Sequence, residues 1–281
     1  MIEFIIIAIL QGLFEWLPIS SSGQVMIIAM NIFGIPPNKA FSLAIWLHLG
    51  TTIAVLVKFR TDFYKIGKSF FPSRFEINEI DIKNRNWLII ATIGTAITAL
   101  PLYFVFRIIL SERYTPLQGD IITLIIAGLL IITGIILLIA RKLYGTKSID
   151  EISKRDLRRD SFITGLMQGI SILPGISRSG MTVSTILFEK YDQNNALKLS
   201  FLMAVPASIA SILVDIFFGE GSVFGFLDPL TIIIVTLISF ITGYLTMEIL
   251  LRIANKVNFG YFCIVYGIIA YMIIIPFIVI S

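Results

Sequence analysis

The chain has 281 residues, of which 57% are hydrophobic and only 14% are charged, a composition too apolar for a soluble globular domain. Its formal net charge is +4, but the basic residues lie in a few segments between apolar runs and build no continuous basic face, so nucleic acid is not an expected partner. We therefore expect an all-α integral membrane protein whose solvent is the bilayer.

The first predicted element, residues 1–34, is apolar at both ends and interrupted in the middle. The interruption at residues 17–23 reads LPISSSG. Each flanking half is too short to cross about 30 Å of hydrocarbon as a helix. Because non-helical backbone at membrane depth is tolerated only where it is buried in protein or lines a polar cavity, this region predicts a re-entrant helix-loop-helix hairpin.

Six apolar runs further along the chain are long enough to span the bilayer as helices. Three of them follow the first hairpin, and three follow a second broken region at residues 162–188. The interruption of this second region reads LPGISRSG at residues 173–180, so we expect a second re-entrant hairpin there. The predicted spanning helices are residues 40–59, 87–106, 121–140, 196–218, 229–250 and 259–280.

The two broken regions resemble each other in sequence. Gln11-Gly12 precedes the first interruption, and Gln168-Gly169 precedes the second. Such self-similarity indicates an internal repeat. We expect one membrane domain over residues 1–281. Its halves, at about 1–140 and 160–281, are joined by a basic loop at 141–160.

The distribution of basic residues predicts the orientation of the chain. If the hairpins do not cross, residues 58–85 and 141–159 lie on the same side of the membrane, and both segments are rich in lysine and arginine. The opposite side receives only Lys39, Arg107 and Arg113. The positive-inside rule then places the two basic loops in the cytoplasm and both termini outside. The hairpins would enter from opposite faces, as in inverted-topology repeats.

Two ionisable residues lie beside the interruptions, where charge within a membrane indicates function. Glu15 is four residues after Gln11, so both side chains project from one helix face. The serine loops and the helix N-termini that follow them suit an anion such as phosphate, and the guanidinium of Arg178 matches phosphate oxygens. Glu15 is then either a general base for a serine or water nucleophile, or a ligand for a divalent cation such as Mg²⁺ or Ca²⁺.

These motifs resemble the two signatures of the bacterial undecaprenyl pyrophosphate phosphatase (bacitracin-resistance) family. The first is Gln11-x-x-x-Glu15 followed by PISSSG, and the second reads PGISRSGMT at residues 174–182. The similarity covers nearly the whole chain. It implies hydrolysis of a polyprenyl diphosphate to the monophosphate and inorganic phosphate, which recycles a lipid carrier for cell-envelope glycan synthesis. It also implies the plasma membrane as location and an active site open to the extracytoplasmic side.

The resemblance assigns roles residue by residue. Glu15 is the catalytic carboxylate, Ser21 is the proposed nucleophile, and Arg178 binds phosphate. Water activated by Glu15 stays open as the alternative nucleophile. Further phosphate or substrate contacts are expected from Gln11, Ser20, Ser22, Gln24, Ser177, Ser179 and Thr182.

One departure from the family pattern concerns proton transfer. Many members carry a histidine directly after the glycine of the serine loop, whereas this chain has Gln24 there. A glutamine cannot shuttle a proton at neutral pH. His48, the only histidine of the chain, lies in the following span and is the accessory candidate if it faces the cavity.

The sequence leaves other interpretations open. Broken helices in inverted repeats are typical of transporters, so a transporter or flippase for a polyprenyl phosphate is one alternative function. A non-catalytic relative that binds lipid diphosphates is another. Glu15 and Arg178 could also form an ion pair that only holds the two halves together. Asp215, near the end of a predicted span, is assigned no role, and a homodimer in the bilayer is compatible with this interpretation.

Overall fold

The protein is built from α-helices and short connections. A computed structural model describes residues 1–71, 76–111, 116–140, 145–219, 222–256 and 258–280. The helices are α1 (Ile2–Phe14), α2 (Ser21–Asn31), α3 (Pro37–Lys58), α4 (Arg60–Lys68), α5 (Glu79–Ser111), α6 (Pro116–Ala140), α7 (Lys154–Ile170), α8 (Arg178–Phe188), α9 (Gln193–Phe218), α10 (Pro229–Lys256) and α11 (Phe259–Ile280).

The predicted fold class is confirmed. Six of the described helices, α3, α5, α6, α9, α10 and α11, are long and apolar enough to cross a membrane. The structure also contains α4, which the sequence analysis did not predict. This helix has nine residues, among which Ile66 is buried and Lys65 and Lys68 are in the last turn. It is too short and too polar to give the signal of a span.

The interruptions end helices where the sequence predicts them. The chain leaves α1 after Phe14 and begins α2 at Ser21, and it leaves α7 after Ile170 and begins α8 at Arg178. At a rise of 1.5 Å per residue, α1 is only about 20 Å long, shorter than the hydrocarbon core. The re-entrant course of the two hairpins and the inverted repeat stay predictions.

Close helix packing joins the two halves of the chain. Helix α1 packs against α10, and α7 packs against α5, so each short helix contacts a long helix from the other half of the chain. Glycine permits the approach at both places. A Cβ added at Gly12 would lie 1.9 Å from Thr242 Oγ1, and one added at Gly169 would lie 1.8 Å from Thr98 Oγ1.

Two charged residues lie where the sequence analysis did not place them. Arg107, counted with the loop residues of the outer side, is buried within α5, and Asp215, expected to reach the interface, is buried within α9. Arg107 Nη2 lies 3.3 Å from Asp215 Oδ1. The same oxygen accepts hydrogen bonds from Ser42 Oγ at 3.1 Å and from the Tyr103 hydroxyl at 2.9 Å. Because each charge has a partner, both can stay inside the bundle.

The basic loop docks onto the neighbouring helix ends. The backbones of Lys147 and Tyr191 pair in a single parallel β-bridge. The ammonium of Lys147 pairs with the buried carboxylate of Asp160. The Tyr191 hydroxyl donates to the same carboxylate at 3.1 Å. Burial and the negative charge of Asp160 raise the pKa of the nearby Glu189 carboxyl to about 8. Four basic residues used for the orientation lie outside the described residues: Arg74, Arg113, Arg141 and Lys142.

Candidate functional site

The two broken segments contact each other directly. Gly175 N donates to Ser20 Oγ over 3.0 Å. Ser20 has a φ of 59° and Gly175 a φ of 104°, so both residues turn the chain through the left-handed region. A Cβ added at Gly23 would lie 2.7 Å from Gly175 N, which shows how closely the backbones approach. The two interruptions therefore meet in the structure.

Each break ends in a capped helix N-terminus. Ser20 is the N-cap of α2, and its Oγ accepts from Gly23 N at 3.4 Å. Ser177 is the N-cap of α8, and its Oγ accepts from Gly180 N at 3.1 Å. Ser21 and Arg178 are consequently the first residues of their helices. The positive ends of two helix dipoles and a guanidinium thus lie beside one cavity, an arrangement that favours an anion.

The cavity between the breaks is walled by both halves of the chain. Its polar lining comes from the two interruptions and from α3, α5, α7 and α9. The polar lining residues are Glu15, Ser20, Ser21, Ser22, His48, Thr95, Gln168, Ser171, Ser177, Arg178, Ser179, Ser208 and Ser211.

Glu15 is the centre of the site. Its side chain is buried, and its Oε2 accepts hydrogen bonds from Ser21 Oγ and from Gln11 Nε2, each at 2.7 Å. Its Oε1 pairs with Arg178 Nη2. Donors on both oxygens fix the orientation of the carboxylate. A carboxylate at hydrogen-bond distance from a serine hydroxyl has the geometry of a general base next to a nucleophile.

Arg178 is held from the opposite side by α9. Its Nη1 donates to Ser208 Oγ at 3.0 Å and to Ala204 O at 3.3 Å, while Nη2 reaches Glu15. The ion pair between Glu15 and Arg178, which alone could hold the two halves together, is therefore present. Holding two halves together does not require the serine hydroxyl on the same carboxylate, however. The contact of Ser21 with Glu15 is the feature that favours chemistry at this place.

His48 reaches the site from α3. Its Nε2 lies 3.4 Å from Glu15 Oε2, and its Nδ1 lies 2.7 Å from Ala44 O. A carbonyl oxygen can only accept, so Nδ1 carries the proton, and Nε2 of the neutral ring has a lone pair towards the carboxylate. Gln24 is buried in α2, its Nε2 donates to Ile19 O at 3.4 Å, and it is not part of the described cavity lining. The imidazole at this cavity is thus supplied by α3.

The structure brings most of the predicted site residues together. Ser20, Ser22, Ser177 and Ser179 line the cavity with the catalytic candidates. Gln11 contacts Glu15 from behind, as the spacing predicts. Within the described residues, Thr182 and Gln24 are set back from the cavity lining. The Thr182 hydroxyl donates to Arg178 O at 2.9 Å, at the base of the same helix turn.

Several lining residues were missed by the sequence reasoning. They are Thr95, Gln168, Ser171, Ser208 and Ser211. Gln168 carried a signal, because the internal repeat pairs it with Gln11. Ser208 and Ser211 also carried one, since small hydroxyl residues three positions apart on a span often face a helix interface. Nothing in the sequence distinguishes Thr95 from the other threonines of the spanning helices.

Comparisons with known proteins show similarity over nearly the whole chain. The family model described as bacitracin resistance protein BacA matches residues 4–272. A protein of Methanothrix thermoacetophila is 38% identical over 95% of this chain and 94% of its own length, and one of Methanococcoides burtonii is 35% identical over 95% and 96%. A protein of Haloarcula marismortui is 33% identical over 94% and 93%. All three are named undecaprenyl-diphosphatase.

The family model and each of these three relatives match more than nine-tenths of the chain. The motifs at residues 11–23 and 174–182 lie inside the matched region. The chain belongs to the bacitracin resistance protein BacA family.

Proposed function

We propose that this protein is a polyprenyl-diphosphate phosphatase, which hydrolyses an undecaprenyl-type diphosphate to the monophosphate and inorganic phosphate. The observation that carries the proposal is the carboxylate of Glu15, which accepts from Ser21 and pairs with Arg178 at the junction of the two breaks. Relatives matched over more than nine-tenths of both chains are named undecaprenyl-diphosphatase, which favours hydrolysis over the transport and non-catalytic alternatives. The membrane-spanning helices suit a lipid substrate.

The geometry supports a displacement at the terminal phosphorus. Glu15 accepts the proton from Ser21 Oγ, or from a water in its place, as the new P–O bond forms. The bond from phosphorus to the bridging oxygen breaks, and the polyprenyl monophosphate leaves with the bonding electrons. Arg178 and the N-termini of α2 and α8 stabilise the charge on the phosphoryl oxygens. If Ser21 is the nucleophile, water then hydrolyses the phosphoserine and releases inorganic phosphate.

His48 is placed to assist proton transfer. Its Nε2 lies 3.4 Å from the oxygen of Glu15 that contacts Ser21. The ring can therefore take up the proton that Glu15 removes and return it in the following step. His48 would thus supply the imidazole that many members of the family carry at the position occupied here by Gln24.

A divalent cation is part of the proposal. Among the described residues there is no cluster of three or more His, Cys, Asp or Glu side chains that could hold a metal ion. Mg²⁺ commonly uses only one or two carboxylates together with substrate phosphates. Glu15 and the Ser21 hydroxyl fit such a site, in which the diphosphate would complete the coordination. The cation would supply charge neutralisation of the phosphoryl group.

The orientation is also proposed from the charge distribution. The protein would lie in the plasma membrane with both termini and the mouth of the cavity on the extracytoplasmic side. In a Cys263→Ala background, an impermeant maleimide applied to intact cells should label a cysteine introduced at Lys39 and spare one at Lys154. The opposite labelling pattern would reverse the orientation. Chemical cross-linking in membranes tests the expected homodimer.

Phosphate release from defined lipids tests the function. The purified protein in detergent is incubated with undecaprenyl or farnesyl diphosphate and Mg²⁺ or Ca²⁺, and inorganic phosphate is measured. We expect release by the wild-type protein and a loss of at least about a hundredfold in Glu15→Gln and Arg178→Ala. Glu248→Gln, at an exposed carboxylate, is the matched control. Labelled monophosphate crossing proteoliposomes without hydrolysis would support the transporter instead.

A further inference from the structure

A second, apolar cavity runs beside the site between α5 and α9. It is called the α5/α9 groove below. On α5 it is lined by Thr92, Ala96, Leu100 and Tyr103, and on α9 by Ala210 and Val214. These positions recur at three- and four-residue intervals, so each set forms one face of its helix. Small side chains at residues 96 and 210 leave the space open.

The groove is continuous with the phosphate cavity. Five residues line both: Thr95, Ala99, Ile172, Ala207 and Ser211. From the shared residues the groove extends along α5 between Thr92 and Tyr103, about 16 Å at 1.5 Å per residue. A ligand whose head lies at Arg178 can therefore continue into the groove without leaving the protein.

The polar groups at the edges of the groove are bonded elsewhere. The Thr92 hydroxyl donates to Leu88 O at 2.7 Å, within its own helix. The Tyr103 hydroxyl donates to Asp215 and accepts from Arg107 Nε at 3.1 Å. The buried network of Asp215 thus holds the Tyr103 ring in place as a wall. The groove presents apolar surface and offers little to a polar occupant.

We propose that the α5/α9 groove binds the isoprenoid chain next to the diphosphate. This inference rests on the proposed function, because the substrate class fixes the occupant. A diphosphate bound at Glu15 and Arg178 carries its first isoprene units close to the shared residues, and apolar surface is the favourable environment for them. Binding energy from the isoprenoid chain positions the phosphorus at the nucleophile, so the groove selects long-chain lipid diphosphates over diphosphates with short chains.

Tryptophan substitutions that fill the groove test the proposal. Ala96→Trp and Ala210→Trp each occupy it from one helix. The matched controls are Ile97→Trp and Leu213→Trp, one on each of the same helices, at side chains that are about half exposed on the outer surface. All four variants are compared with the wild type for kcat/KM on undecaprenyl, farnesyl and isopentenyl diphosphate, after size-exclusion chromatography confirms that they are folded.

The expected result is a change in chain-length preference. The groove variants should lose at least about tenfold in kcat/KM for undecaprenyl and farnesyl diphosphate relative to isopentenyl diphosphate, and the controls should not. Equal losses on all three substrates, or equal effects of the groove and control variants, would overturn the proposal that the groove binds the isoprenoid chain. If the wild-type protein releases no phosphate from any substrate, the proposed function fails instead.

A labelling experiment keeps the test independent of turnover. A farnesyl diphosphate analogue with a photoreactive tail is bound to Glu15→Gln, and labelled peptides are identified by mass spectrometry. Labels on α5 between Thr92 and Tyr103 and on α9 between Ala207 and Val214 are expected, and excess farnesyl diphosphate should compete for them. Labels confined to other helices, or labelling that only phospholipid displaces, would overturn the proposal.

Discussion

The location of the imidazole gives the sharpest prediction about the chemistry. His48 contacts Glu15 from α3, whereas the loop position that follows Gly23 holds Gln24. His48→Gln keeps a polar side chain of similar reach but removes the group that can exchange a proton at neutral pH. The variant therefore separates proton transfer from packing at this position.

The magnitude follows from the geometry. General acid–base groups contribute roughly 10²- to 10⁴-fold to a rate. Because the Nε2–Oε2 distance is 3.4 Å, longer than an ideal hydrogen bond, we expect the lower end, a loss in kcat of about 10²-fold or roughly 2.7 kcal/mol. Loss of the bond from Nδ1 to Ala44 O costs only about 1 kcal/mol of stability, so the variant should remain folded.

The assay compares single and double variants over a pH series. His48→Gln should reduce kcat at neutral and alkaline pH, where an imidazole can take up a proton, and change KM little. Adding Gln24→His places an imidazole at the start of α2, three residues after Ser21, where other members of the family carry it. Because residue 24 is set back from the cavity lining, the double variant should recover less than about threefold of the lost rate. A His48→Gln variant within about threefold of the wild type across the series would refute the reasoning.

Three further predictions concern the nucleophile, the buried ion pair and the docked loop. If Ser21 is the nucleophile, Ser21→Ala should lower kcat by at least about 10³-fold and abolish the phosphoserine that rapid acid quench traps with labelled substrate. Near-normal activity of the variant would assign the attack to water. Asp215→Ala should destabilise the protein by about 3–5 kcal/mol in thermal unfolding, because it leaves Arg107 buried without this partner. The double variant Asp215→Leu/Arg107→Met should recover most of that loss. Equal stability of the single and the double variant would contradict the pairing. The raised pKa of Glu189 means that its carboxyl favours folding while protonated, so wild-type stability should fall by up to about 2 kcal/mol as pH rises from about 4.5 to about 8. Glu189→Gln should flatten that slope and the exposed-site variant Glu151→Gln should not; identical slopes in wild type and Glu189→Gln would contradict the assignment.

Apolar length and loop chemistry made much of the fold predictable. Each of the six runs near 20 residues became a spanning candidate, because helices are the structures that satisfy backbone groups in lipid. The proline, glycine and serine clusters at residues 17–23 and 173–180 ended helices as expected. The contact between Glu15 and Arg178 could be anticipated, since two buried charges of opposite sign need each other.

Facing directions could not be predicted in the same way. A span that is apolar all round has no polar stripe to show which side turns inward, so nothing in the sequence places Thr95 in the cavity. The same limit hid the burial of Asp215, whose partner Arg107 is more than a hundred residues away in the chain. It also left open whether His48 or Gln24 reaches Glu15, which depends on the rotation of α3 relative to α2.

Phosphate release from undecaprenyl diphosphate by the wild-type protein and by Glu15→Gln tests the central claim most directly. The glutamine keeps the size of the side chain and a hydrogen bond to Ser21, but it cannot accept the proton of a nucleophile. We predict steady release by the wild type and a rate at least about 10²-fold lower in the variant. No release by the wild type, or equal release by both proteins, would contradict the account.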